Sequence, residues 1–125
     1  MNTRNLRLAG FAAVAASAAA LPLAAQAAST ATTLKGSVGP DGIFKITLTN
    51  ATGGKVTSLK AGAYMIKVSD TSSIHNFHLT GPGVNKNSGI STKGSSIWNV
   101  TLKKGTYKYV CDPHASIMKG SFTVS

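Results

Sequence analysis

The chain contains no glutamate, and its only acidic residues are Asp41, Asp70 and Asp112. General acid–base chemistry by paired carboxylates therefore has little to work with, and no credible serine–histidine–acid set is present. Arginine is confined to Arg4 and Arg7. Beyond residue 27, eleven lysines face three aspartates, a formal charge of +8. Those lysines are scattered and no arginine accompanies them, a pattern that argues against nucleic acid as a ligand. It leaves plain solubility, or long-range steering toward an acidic partner. A single cysteine, Cys111, excludes an internal disulfide. That thiol is then a buried spectator, an intermolecular link or a functional thiolate. Helical periodicity is missing after residue 28.

Long apolar runs are also scarce. The one apolar stretch near the start, Leu8–Leu21, is alanine-rich and short of the roughly 20 strongly apolar residues that a membrane span needs. Arg4 and Arg7 precede or open it, and Ala25-Gln26-Ala27 supplies small residues after it. This is the layout of a bacterial secretory signal peptide over residues 1–27, with cleavage expected after Ala27. No arginine pair indicates the twin-arginine route, and no cysteine near the cleavage point offers a lipid anchor. Residues 28–125 are then expected to form one domain in the periplasm or outside the cell, with no integral membrane segment.

What is present in that domain is alternation. Phe44, Ile46 and Leu48 alternate with Lys45, Thr47 and Thr49; Tyr64, Ile66 and Val68 with Met65 and Lys67; Trp98, Val100 and Leu102 with Asn99, Thr101 and Lys103; Phe122 and Val124 with polar neighbours. A period of two marks strands with one face in the core and one in water. Turn signals separate them at Gly39–Gly42, Thr52–Gly54, Lys60–Gly62, Gly81–Gly83 and Lys104-Gly105. Strands are expected near 32–38, 43–49, 56–58, 63–69, 73–80, 96–102, 106–111 and 119–124, with an irregular crossing from Gly81 to Ser96. Seven or eight short strands at this spacing predict an all-β fold, an antiparallel Greek-key sandwich.

The chemistry lies in Tyr107-Lys-Tyr-Val-Cys111-Asp-Pro-His114-Ala-Ser-Ile-Met118-Lys-Gly120. A thiolate, an imidazole and a thioether arrive within eight residues, at the end of an expected strand. Ser73-Ile-His75-Asn-Phe-His78-Leu brings two more histidines on another strand. Thiolate and thioether are soft ligands that favour Cu(I) or zinc, whereas imidazole suits copper in both oxidation states.

Cys-Asp-Pro-His-Ala-Ser-Ile-Met-Lys-Gly, with His-Asn-Phe about 36 residues upstream, resembles the cupredoxins, the plastocyanin/azurin type of blue copper protein. The resemblance spans residues 28–125 and is strongest in the ligand loop. It implies one type 1 copper ion held by His75, Cys111, His114 and Met118. It implies that Asn76 ties its loop to the cysteine loop by hydrogen bonds, and that Pro113 removes a backbone donor near the sulfur. It further implies a monomeric carrier of single electrons between redox protein partners, not an enzyme, with the exposed edge of His114 as the electron port. Pro113, Ala115 and Ile117 surround that edge with apolar groups of the kind that suit brief docking. Two features depart from parts of the family: the spacing from His114 to Met118, and Val110 before Cys111, where some plastocyanins carry an aromatic. On a strand, His78 would point to the face opposite His75, Asn76 would share that face, and His78 would be a partly exposed surface imidazole.

Two rivals remain. A periplasmic copper chaperone or scavenger could use the same donors, but beyond residue 27 the chain has only Met65 and Met118. A metal-free interaction sandwich would leave Cys111 without a role. A multicopper oxidase is excluded, because three histidines cannot supply further copper sites.

Overall fold

The computed structural model describes residues 13–22 and 30–125. The expected cleavage point after Ala27 and the basic start at Arg4 and Arg7 lie outside the described residues. Residues 13–22 carry no helix or strand. Among the described residues no helix is long and apolar enough to cross a membrane.

The described residues form nine strands in chain order: β1 Thr32–Val38, β2 Ile46–Asn50, β3 Ser58–Leu59, β4 Gly62–Asp70, β5 His78–Gly81, β6 Val84–Asn87, β7 Gly94–Leu102, β8 Gly105–Val110 and β9 Lys119–Val124. They form two sheets, ordered β2-β1-β4-β7 and β3-β9-β8-β5-β6. The expected sandwich is present, with one correction to its strand directions. β1 pairs parallel with β4, and β3 pairs parallel with β9, so both sheets are mixed. Between β2 and β4 the chain visits the other sheet as β3, which lets β4 return beside β1 in the same direction. Alternation reports which face of a strand is buried and carries no information on direction, so this was not readable from the pattern.

The two inner faces close on an aromatic-rich core. Leu34 and Val38 from β1, Tyr64, Ile66 and Val68 from β4, and Trp98, Val100 and Leu102 from β7 meet Leu79, Tyr107, Tyr109, Phe122 and Val124 from the other sheet. Phe77 lies parallel to Tyr109 with ring centroids 5.5 Å apart, and Tyr107 stacks on Phe122 at 5.2 Å. Each such side chain contributes about 1.5–3 kcal/mol by leaving water. Their size demands room. Gly120 sits opposite Tyr109 in the β8–β9 register, and a Cβ there would stand 2.2 Å from the tyrosine ring.

Two segments depart furthest from expectation. The strand expected over 73–80 begins only at His78. Upstream, side-chain oxygens compete for the backbone: Ser72 N donates to Asp70 Oδ1, and Ser72 Oγ accepts from the amides of Ile74 and His75. Serine and aspartate draw the chain out of the ladder in this way. The stretch expected to cross the surface irregularly contains β6, which makes a hairpin with β5 through Pro82-Gly83. Its sequence, Val-Asn-Lys-Asn, shows no apolar alternation because β6 is an edge strand that is largely exposed.

Candidate metal centre

Strand register brings the centre together. β5 and β8 are neighbours, and His78 pairs with Val110. Val110 is followed at once by Cys111, and His78 is preceded by the 71–77 loop that holds His75. Both therefore emerge at the same tip of the sandwich. After Cys111 the chain turns through a short 3-10 segment, Asp112–His114. The loop is closed by backbone bonds: Cys111 N donates to the Met118 carbonyl at 3.0 Å, and Met118 N donates to the His114 carbonyl at 2.8 Å. Cys111, His114 and Met118 thus share one closed loop, with Cys111 and Met118 buried.

The donor atoms of His75, Cys111 and His114 converge. His75 Nδ1 and His114 Nδ1 are 3.0 Å apart, and Cys111 Sγ lies 3.7 Å from the first and 3.5 Å from the second. A point equidistant from the three lies about 2 Å from each, against roughly 2.0–2.1 Å for an imidazole–zinc and 2.3 Å for a thiolate–zinc bond. The chemistry of the set fits a borderline-to-soft cation: two imidazoles and a sulfur, with no carboxylate among them. His75 is fully buried and its Nε2 has no hydrogen-bond partner, so the polar function of that ring is concentrated at Nδ1. The two Nδ1 atoms and the thiol sulfur face one another across this triangle, and an ion there would bind all three.

The loop carrying His75 is held from three sides, by all three of the chain's carboxylates. Asp41, in the turn between β1 and β2, accepts from Ser72 Oγ at 2.8 Å, from Ser73 N at 2.6 Å and from Ser73 Oγ at 2.7 Å. These bonds, the Ser73 hydroxyl first, pull the Asp41 pKa from 3.8 to about 2. Asp70 accepts from Ser72 N and from Ser88 Oγ, and Ser88 Oγ in turn accepts from Phe77 N. Asp112 meets Asn76, which is completely buried and uses every hydrogen-bonding group of its side chain. Asn76 Nδ2 donates to Asp112 Oδ2 at 2.7 Å and to Asn87 Oδ1 at 2.9 Å, while Asn76 Oδ1 accepts from Asp112 N at 2.7 Å. The expected tie between the two loops is therefore present. Its burial is a correction: Asn76 does not face outward with His78, because residues 75–77 are not in a strand and alternation does not apply to them.

His78 stands apart from the triangle, partly exposed as expected. Its Nδ1 lies 2.9 Å from Asp112 Oδ2 and its Nε2 lies 2.7 Å from Asn85 Oδ1. Around His114, which is half-buried, Pro113, Ala115 and Ile117 are exposed, Ile117 to 65%. One residue of the site escaped sequence reading. Phe44 was grouped with Ile46 and Leu48 as one apolar face, yet β2 starts only at Ile46. Phe44 turns its ring edge-on to both histidines, with centroids 5.2 Å from His75 and 4.8 Å from His114. It remains 50% exposed.

Residues 44–125 match the profile of the family described as copper binding proteins, plastocyanin/azurin family. The chain belongs to that family. The cofactor that goes with its donor set is one type 1 copper ion. No curated protein sequence matches the chain, but solved structures share its fold. An auracyanin from the photosynthetic bacterium Roseiflexus castenholzii superposes with a TM-score of 0.53 at 18% identity, over 76% of this chain and 98% of its own. Auracyanin A from Chloroflexus aurantiacus, named a "blue" copper protein, gives 0.51 at 17% identity, over 77% and 100%. Rusticyanin from Thiobacillus ferrooxidans gives 0.51 at 19% identity, over 74% and 76%.

Proposed function

We propose that this cupredoxin carries single electrons between exported or membrane-bound redox proteins, with copper held by His75, Cys111 and His114 and, more weakly, by Met118. The convergence of two Nδ1 atoms and one Sγ, in a chain of a copper-binding family, carries the reading. Bound copper supplies one-electron exchange between Cu(II) and Cu(I). The protein's part is to keep the donors still while the charge changes. Cys111 and His114 are fixed by the closed loop, and His75 by the Ser72 hydroxyl that accepts its backbone N–H. A set of ligands that does not move between oxidation states keeps reorganisation small, which is what fast transfer requires.

Phe44 and the apolar residues beside His114 keep water from the buried donors and leave the imidazole edge of His114 as the electron port. Eleven lysines outnumber three aspartates beyond residue 27, so the net charge available to attract a partner is positive, and an acidic redox partner fits. We further propose that residues 1–27 are a secretion signal, that residues 28–125 work as a monomer in the periplasm or outside the cell, and that no substrate is transformed. Voltammetry of the copper-loaded protein tests the role. A reversible one-electron couple, with the ion retained over repeated cycles, supports electron transfer. Loss of the ion on reduction, or its passage to a Cu(I) chelator of modest affinity, would replace this reading with the chaperone.

A further inference from the structure

The start of β5, between β8 and β6, holds a titratable group that the donor triangle does not use. Both ring nitrogens of His78 face oxygen acceptors: Nδ1 faces the Asp112 carboxylate at 2.9 Å, and Nε2 faces Asn85 Oδ1 at 2.7 Å. A neutral imidazole has one donor and one acceptor, so only the doubly protonated ring satisfies both contacts as they stand. Asp112 is the residue after Cys111, and its backbone N–H and carboxylate are both bound by Asn76, next to His75. The pair is therefore wired into both loops that carry the donors. The remaining charged groups on the flanking strands are Lys86 on β6 and Lys108 on β8. Asn87, opposite His78 on β6, is neutral.

We infer that His78 is a redox-linked proton site: it binds a proton more tightly when the neighbouring centre is reduced, so that part of the protein's electron transfer is accompanied by proton uptake and release. This rests on the copper reading above. The neutral ring keeps its proton on Nδ1, toward Asp112. On reduction one electron enters the centre and one proton from solvent forms an N–H bond at Nε2, toward Asn85; oxidation releases both. The side chain is 23% exposed, which leaves a path for that proton. In the neutral state the Asn85 amide turns to present its NH2 to Nε2. The cause is electrostatic. Reduction removes one positive charge on the order of 10 Å from the imidazolium, which at intermediate dielectric changes proton affinity by about threefold to tenfold. Burial opposes the charged ring, but the bond to Asn85 and the bond and charge of Asp112 outweigh it and raise the His78 pKa above its ordinary 6.5.

The sign follows from linkage. A site that binds protons more tightly in the reduced form makes the reduction potential fall as pH rises between the two His78 pKa values, and leaves it flat on either side. The experiment is voltammetry of the copper-loaded full chain between about pH 5 and 9, for wild type and for His78→Gln, with the His78 ring resonances followed by NMR in the Cu(I) form and in the metal-free protein. The expected result is a step in potential equivalent to a threefold to tenfold change in proton affinity, abolished in His78→Gln, with the visible band unchanged by the substitution. The NMR titration, which needs no variant, should place the His78 pKa above its ordinary value in the Cu(I) form. A flat wild-type profile, the same step in His78→Gln, or a His78 resonance that titrates at or below its ordinary value overturns the inference. A protein that shows no copper–thiolate band at any pH fails the copper reading itself, which separates the two failures.

Discussion

Asn76 shows how much one buried side chain is asked to do. Its amide joins the His75 loop to Asp112 and to Asn87, and no water reaches it. Removing it leaves the part-buried Asp112 N–H without its acceptor and takes one of two partners from Asp112 Oδ2, which keeps His78, and a group orphaned in this way costs about 1–3 kcal/mol. Asn76→Ala is therefore expected to lower unfolding stability by that amount in denaturant titration. The visible band of the copper form should also shift, because the two donor loops are no longer tied. Asp41 works at the same loop from outside. Its folded pKa of about 2 lies below its ordinary 3.8, so the folded state binds its proton less readily than the unfolded chain. Its contribution is present above pH 3.8 and is lost as pH falls toward 2. The difference in urea midpoint between wild type and Asp41→Asn should be full near neutral pH and close to zero at about pH 2. A difference that persists unchanged into that acid range would mean that the Ser72 and Ser73 bonds do not depend on the carboxylate charge.

Strand pairing, rather than any single residue, brings the donors to one tip. The β8–β9 hairpin matters most, because its two strands lead into and out of the Cys111–Met118 loop. Tyr109 lies over Gly120 in this hairpin, and a methyl group added at residue 120 meets the ring at 2.2 Å. Gly120→Ala is expected to cost about 1–3 kcal/mol through overpacking, measured by thermal or denaturant unfolding, and to loosen the copper site with it. Gly42, where nothing stands near an added Cβ, is the control: alanine there should leave the site unchanged. The same contrast explains what could be read from sequence. Strands buried on one face, such as β4, β7 and β9, announce themselves by alternation. The donor loop announces itself because thiolate, imidazole and thioether rarely crowd into so few residues. β6 stays silent because an exposed edge strand has no buried face to mark. The His75 loop misleads because Ser72 and Asp70 offer the backbone side-chain partners that no hydrophobic pattern reveals. Phe44 was placed with the core because the position where β2 begins, two residues later, depends on pairing with β1.

At the scale of the whole molecule, the proposed role divides the labour between charge and the apolar tip. The lysines are spread over the surface and the acids are occupied at one loop, so encounter with an acidic partner should slow as salt is added. Surface charge is screened within about 10 Å at 0.1 M ionic strength. Contact at the tip itself, through Ile117 and the His114 edge, should depend little on salt. Ile117→Lys should therefore weaken productive electron exchange with a given partner while leaving stability close to wild type, since the side chain is mostly in solvent. Stopped-flow exchange rates against ionic strength separate the two contributions. All of this presupposes that the triangle of His75, Cys111 and His114 holds copper through the thiolate. That claim is tested most directly by the visible absorption spectrum of the protein after one equivalent of Cu(II), recorded beside Cys111→Ser. An intense blue or green band in the wild type, absent from the variant, is the expected result. A colourless wild type, or a band that survives the loss of the thiol, would contradict it.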